Sequence, residues 1–225
     1  MDYIIKDGWI VNGKKEKPFH GDLVIENGKI AEVGTHVEIP ADFPKERVLN
    51  AAGGYITPGF IDIHRHGDWQ AFGNGDDQLL NRQGLTTVVN GNCGLSVAPA
   101  GKKFEKEIAG FLSSVTGNSK SRETEMMSTM SSYMSALEKE GRSVNTGMLA
   151  GNGTIRAGVK GYASGKLSKE EVHQVWDAVE ESLVAGVLGI SLGIAYAPEF
   201  EYDRDGLVEA LQPLKGTDIP VTVHI

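Results

Sequence analysis

The chain has 225 residues, 40% of them hydrophobic and 29 of them glycine, and carries 22 Lys and Arg against 30 Asp and Glu for a formal net charge of −8. That size and apolar content build one large domain or one and a half smaller ones, which excludes a disordered segment. A negative balance with no Lys/Arg block excludes a nucleic-acid or anionic-membrane surface as the leading reading and fits a small-molecule partner.

The first residues show no basic stretch followed by a long apolar core, and no run approaches the length that spans a bilayer, so a cytoplasmic location is expected. Residues 3–5, 9–11, 22–26 and 29–33 read as short strands. The dipeptides Asp7-Gly8, Asn12-Gly13 and Asn27-Gly28 between them read as hairpin turns, because these residues tolerate the positive φ that tight turns need. Residues 1–53 are thus a small β module. His20 and His36 lie in it among turn residues and read as surface histidines. The Ala51-Ala52-Gly53-Gly54 stretch marks the crossing into a second domain, 54–225.

That second domain is organised around Pro58-Gly59-Phe60-Ile61-Asp62-Ile63-His64-Arg65-His66-Gly67-Asp68. Side chains alternate along a strand, so His64 and His66 point to one side and Arg65 to the other, which places two imidazoles within reach of one metal ion. The rhythm that follows is apolar strand, loop, amphipathic helix, with strands expected at 60–64, 85–89, 144–149, 189–192 and 219–223. The second strand runs into Asn90-Gly91-Asn92-Cys93-Gly94, the third into Gly151-Asn152-Gly153-Thr154, and the fifth into His224. Cys93 is the only cysteine, so it is a small core residue, a free thiol or a ligand. In the long excursion after the second strand, Met126, Met127, Met130, Met134 and Leu137 recur near helical spacing and read as helix packing rather than as a flexible acyl-binding surface. Between the third and fourth strands, Ser168 and Glu171 form a capping-box pattern ahead of Val172, Val175, Trp176, Val179 and Leu183, with His173 beside that stripe facing solvent.

Strands alternating with helices imply parallel pairing with right-handed crossovers. The arrangement is either a doubly wound sheet or a (β/α) barrel. His64, His66, Cys93 and His224 fall at the ends of three different strands, the rim on which a barrel gathers its site, and that favours the barrel.

The segments PGFIDIHRHGD, VVNGNCGLSVAP, GNGTIR, GVLGISLGIAYAPEFEY and IPVTVHI, in this order, resemble the N-acyl-D-amino-acid deacylases, or D-aminoacylases, of the amidohydrolase superfamily. The resemblance covers nearly the whole chain. It implies an α/β fold, an incomplete TIM-like (β/α) barrel preceded by part of a small β-sandwich, and zinc-dependent hydrolysis of N-acyl-D-amino acids to a carboxylate and a free D-amino acid. It further implies one or two zinc ions held by His64 and His66 from the first strand, Cys93 in the role that a carboxylated lysine plays elsewhere in the superfamily, and His224 from the fifth. The aspartate that moves the proton, a further histidine ligand and the groups that grip the substrate carboxylate are then expected beyond residue 225. On that expectation the chain is inactive alone and either self-associates or takes a complementary C-terminal chain. The alternatives are a cyclic-amide hydrolase or dipeptidase of the same superfamily, or a noncatalytic half. Arg156, Ser191 and Tyr196 belong to the matching motifs without an assigned role. The role of Asp68 is open too, because many relatives place an acid directly after the second histidine, not two positions on.

Overall fold

In the computed structural model, which describes residues 1–72, 74–117 and 124–225, the chain divides into two units, Met1–Gly59 and Phe60–Ile225. The first is a five-stranded mixed sheet. Strand β1 (Tyr3–Ile10) pairs antiparallel with β2 (Phe19–Glu26), which pairs antiparallel with β3 (Lys29–Gly34). Strands β4 (Val48–Asn50) and β5 (Tyr55–Ile56) both lie parallel to β1. Because β5 is bonded to β1, residues 54–59 stay with this unit, and the division falls after Gly59 rather than after Gly53.

Asp7-Gly8, expected as a hairpin turn, is instead a bulge within one continuous strand. Asp7 takes φ 59°, and the register against β2 shifts between Ile5 and Gly8. The buried Asp22 carboxylate accepts the Asp7 N–H at 3.0 Å and the Val37 N–H at 3.1 Å, so the extra residue keeps a partner and the strand runs on. Asn27-Gly28 is the expected two-residue hairpin, with both residues at positive φ (52° and 69°). Ile4, Val24 and Val37 form the small core, with Ile39 and Phe43 against it.

The second unit is a curled, all-parallel sheet in chain order, the half-barrel expected from the sequence: β6 (Phe60–Asp62), β7 (Leu85–Asn90), β8 (Asn145–Gly151), β9 (Gly189–Gly193) and β10 (Val221–His224). Helix α1 (Asn74–Arg82) connects the first pair. α2 (Glu105–Thr116) and α3 (Met130–Glu140) fill the excursion to β8. α4 (Asn152–Lys160) and α5 (Lys169–Val184) precede β9, and α6 (Arg204–Ala210) precedes β10.

Helices α3 and α5 start at side-chain caps. Thr129 caps α3 by accepting the Ser132 N–H, and Gly141 ends it in the left-handed region. Ser168 and Glu171 form the anticipated capping box on α5, whose Val172, Val175 and Val179 are buried while His173 is exposed beside the Trp176 ring. The Glu181 carboxylate of α5 accepts the N–H groups of Met130 and Ser131, which ties α5 to the start of α3. Met127, Met130 and Leu137 are buried in the core of this unit, and Met126 and Met134 pack against it, so the methionine stripe is helix packing. Among the described residues, no helix is long and apolar enough to cross a membrane.

Candidate metal centre

Strand β6 ends at Asp62, two residues before the position expected, yet pairing continues past it: the Arg65 N–H donates to the Val89 carbonyl of β7 at 3.1 Å. Alternation therefore survives through the H-x-H. The His64 and His66 rings meet edge to face, with centroids 5.8 Å apart. Cys93 arrives from the turn after β7, its Sγ 3.2 Å from His64 Nε2. One ligand atom from each of His64, His66 and Cys93 lies within 4.8 Å of the other two. Donors around a tetrahedral ion with bonds of about 2.0–2.3 Å stand roughly 3.3–3.8 Å apart, so a small contraction turns this trio into three corners of a zinc site.

His224, at the end of β10, is outside that trio but close to it. Its ring lies 5.4 Å from the Tyr196 ring, whose hydroxyl bonds to the Cys93 carbonyl. Burial, then the neighbouring His64 and His224, hold the His66 imidazole below its ordinary pKa, which keeps it in the neutral form that binds metal. His66 Nδ1 is buried and has no hydrogen-bond partner within the protein, as fits a ring nitrogen with a non-protein partner. Burial pushes the Cys93 thiol up, against the Tyr196 hydroxyl, so a cation is what would draw off its proton. His20 and His36 are exposed in the first unit beside Asp7 and Asp22.

The turn that delivers Cys93 is built from unusual backbone. Gly91, Cys93 and Gly94 all have positive φ, at 75°, 59° and 72°. At Gly91 a side chain is excluded outright, since a Cβ there would stand 2.1 Å from the Leu149 carbonyl oxygen. Asp68, fully buried, accepts the Gly91 N–H at 3.4 Å and the Val97 N–H at 3.1 Å. Asn92 donates to the Val89 carbonyl at 3.0 Å. The acid two positions beyond the H-x-H thus braces the turn that carries the sulfur, and its backbone carbonyl takes the Tyr133 hydroxyl at 2.7 Å.

Two further features were not legible as site components. Glu199, 2% exposed, accepts the Gly193 N–H at 2.6 Å and the Asn152 side-chain amide at 2.7 Å, joining the ends of β8 and β9. Arg156, fully buried on α4, donates to the Gly165 carbonyl at 2.8 Å and faces the Tyr202 ring at 5.3 Å. Nothing in spacing marks Glu199 as buried. The mixed run Asn152-Gly153-Thr154-Ile155-Arg156 likewise conceals a helix buried nearly all round.

No family model matches the chain. Over 198 residues it is 31% identical to an N-acyl-D-glutamate deacylase of Alcaligenes xylosoxydans xylosoxydans, covering 88% of this chain and 38% of that one. It is 29% identical over 214 residues to a D-aminoacylase of the same organism, covering 95% and 42%. The solved structure of an N-acyl-D-glutamate deacylase from Bordetella bronchiseptica, complexed with zinc and a phosphonate inhibitor that mimics the tetrahedral intermediate, superposes with a TM-score of 0.82 at 26% identity, covering all of this chain and 45% of that one. The chain spans about two fifths of the length of the curated relatives it matches. A half-barrel that brings imidazoles and a thiol to one end of its strands is the frame of an amidohydrolase. Within that class, the chain is similar over nearly its whole length to the N-terminal part of N-acyl-D-amino-acid deacylases, or D-aminoacylases.

Proposed function

We propose that this chain supplies the metal-holding part of a hydrolase that cleaves the amide of N-acyl-D-amino acids, with zinc as the metal and His64, His66, Cys93 and His224 as its ligands. The observation that carries the reading is the convergence of His64, His66 and Cys93 to within 4.8 Å. Three donors of two kinds, delivered by adjacent parallel strands, form a set that zinc takes up readily.

Bound zinc would polarise an amide carbonyl and lower the pKa of a bound water to about 7. The chain's own residues then have definable tasks. The low pKa of His66 keeps its ring available as a donor, and the Tyr196 hydroxyl, bonded to the Cys93 carbonyl, fixes the backbone beneath the sulfur. His224 joins from the far strand beside Tyr196. The substrate's D-amino acid is supported by what the relatives are named for, and the relatives are more than twice the length of this chain. Release of the D-amino acid is accordingly proposed for the assembled enzyme, with this chain as its ligand-bearing part.

Metal analysis after dialysis tests the site. The chain retains zinc, Cys93→Ala retains markedly less, and replacing His20, His36 or His173 by Ala leaves retention unchanged. Equal zinc in Cys93→Ala and the parent chain would remove the sulfur from the ligand set.

A further inference from the structure

We propose that Ser191 is a positioning residue for the sulfur ligand, holding the turn on which Cys93 sits in the conformation that presents Sγ to the metal; the inference rests on the metal site proposed above. Ser191 lies in β9, two strands away from β7 in the sheet, and is completely buried. Its hydroxyl does two things at once. It accepts the Gly94 N–H at 2.9 Å and donates to the Gly91 carbonyl at 2.5 Å. Those groups flank Cys93 on either side, so one oxygen closes the turn across its mouth.

The turn needs such a tie. Cys93 is a non-glycine residue at φ 59°, a conformation that costs an L side chain energy and persists only where the surroundings over-determine it. The restraints nearby divide the work. Asp68 holds Gly91 on the upstream side and reaches Val97 further downstream, and Asn92 bonds to Val89 upstream. The Thr154 N–H donates to the Gly94 carbonyl at 3.1 Å on the downstream side. Ser191 spans Cys93 most closely, tying Gly91 to Gly94 through one oxygen. Without its hydroxyl, a buried N–H and a buried C=O lose their partner together, and the least costly relief is for the turn to relax toward negative φ, which swings Sγ away from His64. Groups that orient a metal ligand in this way typically change affinity 10- to 100-fold when removed.

The test is titration of the full chain with Co(II), a spectroscopic stand-in for zinc, reading both the thiolate-to-cobalt charge-transfer band and the ligand-field bands. Cys93→Ala serves as the reference for loss of the sulfur. Ser191→Ala is expected to bind Co(II) 10- to 100-fold more weakly, with a charge-transfer band reduced relative to the ligand-field bands. Because a buried Ser→Ala change also lowers stability, Ser191→Thr and Ser191→Val are compared as well. They are equal in volume and differ in the hydroxyl, so the Thr variant retains the band and the Val variant loses it. A charge-transfer band per bound cobalt that is the same in the Ala or Val variants as in the parent would overturn the positioning role, even if their melting temperatures fell. A parent chain whose spectrum matches that of Cys93→Ala would instead overturn the sulfur ligation itself, and the positioning role with it.

Discussion

Glu199 shows how a single carboxyl can hold two strand ends together and still oppose folding. Burial pushes its pKa up to about 7, although the Asn152 amide, the Gly193 and Gly153 N–H groups and the Arg156 guanidinium all pull the other way. The folded chain therefore holds a proton that the unfolded chain, with an ordinary carboxyl near 4.3, has already released. The stabilisation is fully present below the unfolded value and is lost as pH rises through about 7. Urea unfolding of the metal-free chain is expected to show stability falling between pH 5 and 7, with Glu199 contributing up to about 1.4 kcal/mol per pH unit beside the similarly raised Asp68, and Glu199→Gln is expected to reduce that slope by its share. An unchanged slope in the variant would assign the dependence to another group. At this scale the sequence was informative where residue type limits the chemistry. Histidine pairs at H-x-H spacing and a lone cysteine have few uses, and the structure brought His64, His66 and Cys93 together. Asp68 and Ser191 act on backbone groups 23 to 100 residues away, and Glu199 takes the Asn152 amide 47 residues away, and no local pattern announces such partners.

Among the elements, periodicity exposed whatever has one wet face and one dry one. Helix α5 shows this most plainly, with its valine stripe inward and a capping box at its start. Ser168→Ala is expected to cost about 1 kcal/mol, because the Glu171 N–H loses its acceptor and the Ser168 N–H bond to Glu171 loses its reciprocal. Thermal unfolding checks this, and a melting temperature unchanged by the substitution would show that α5 is held by packing alone. Helix α4 escaped notice because it has no wet face: Asn152, Gly153, Thr154, Ile155, Arg156, Ala157 and Val159 are all buried, so polar and apolar residues alternate without solvent to sort them. The Asp7-Gly8 bulge escaped for a different reason. Its dipeptide is the same one a hairpin uses, and what keeps the strand going is Asp22, far along the chain.

For the whole molecule, the five-stranded parallel sheet ends in β6 on one side and β10 on the other, and among the described residues neither outer edge pairs with a further strand. Ile61 and Ile63 are 62% and 70% exposed, and Val221 and Val223 are 40% and 48% exposed. Unpaired apolar edges are templates for another chain. The chain on its own is therefore expected to self-associate, giving a light-scattering mass above 24.2 kDa, and Val223→Lys is expected to shift the distribution toward the monomer. A parent chain that stays monomeric at tens of micromolar would mean that these edges are not adhesive. The pairing of β6 directly with β7 has a consequence for the order of assembly. His64 and Cys93 are 29 residues apart, so bringing them together closes a short loop through α1. His224 must instead close a loop several times longer, which costs roughly 1–2 kcal/mol more in chain entropy. The two ligand-bearing ends of β6 and β7 are thus the cheapest part of the centre to form, a nucleus available to a cation while the later strands are still unpaired.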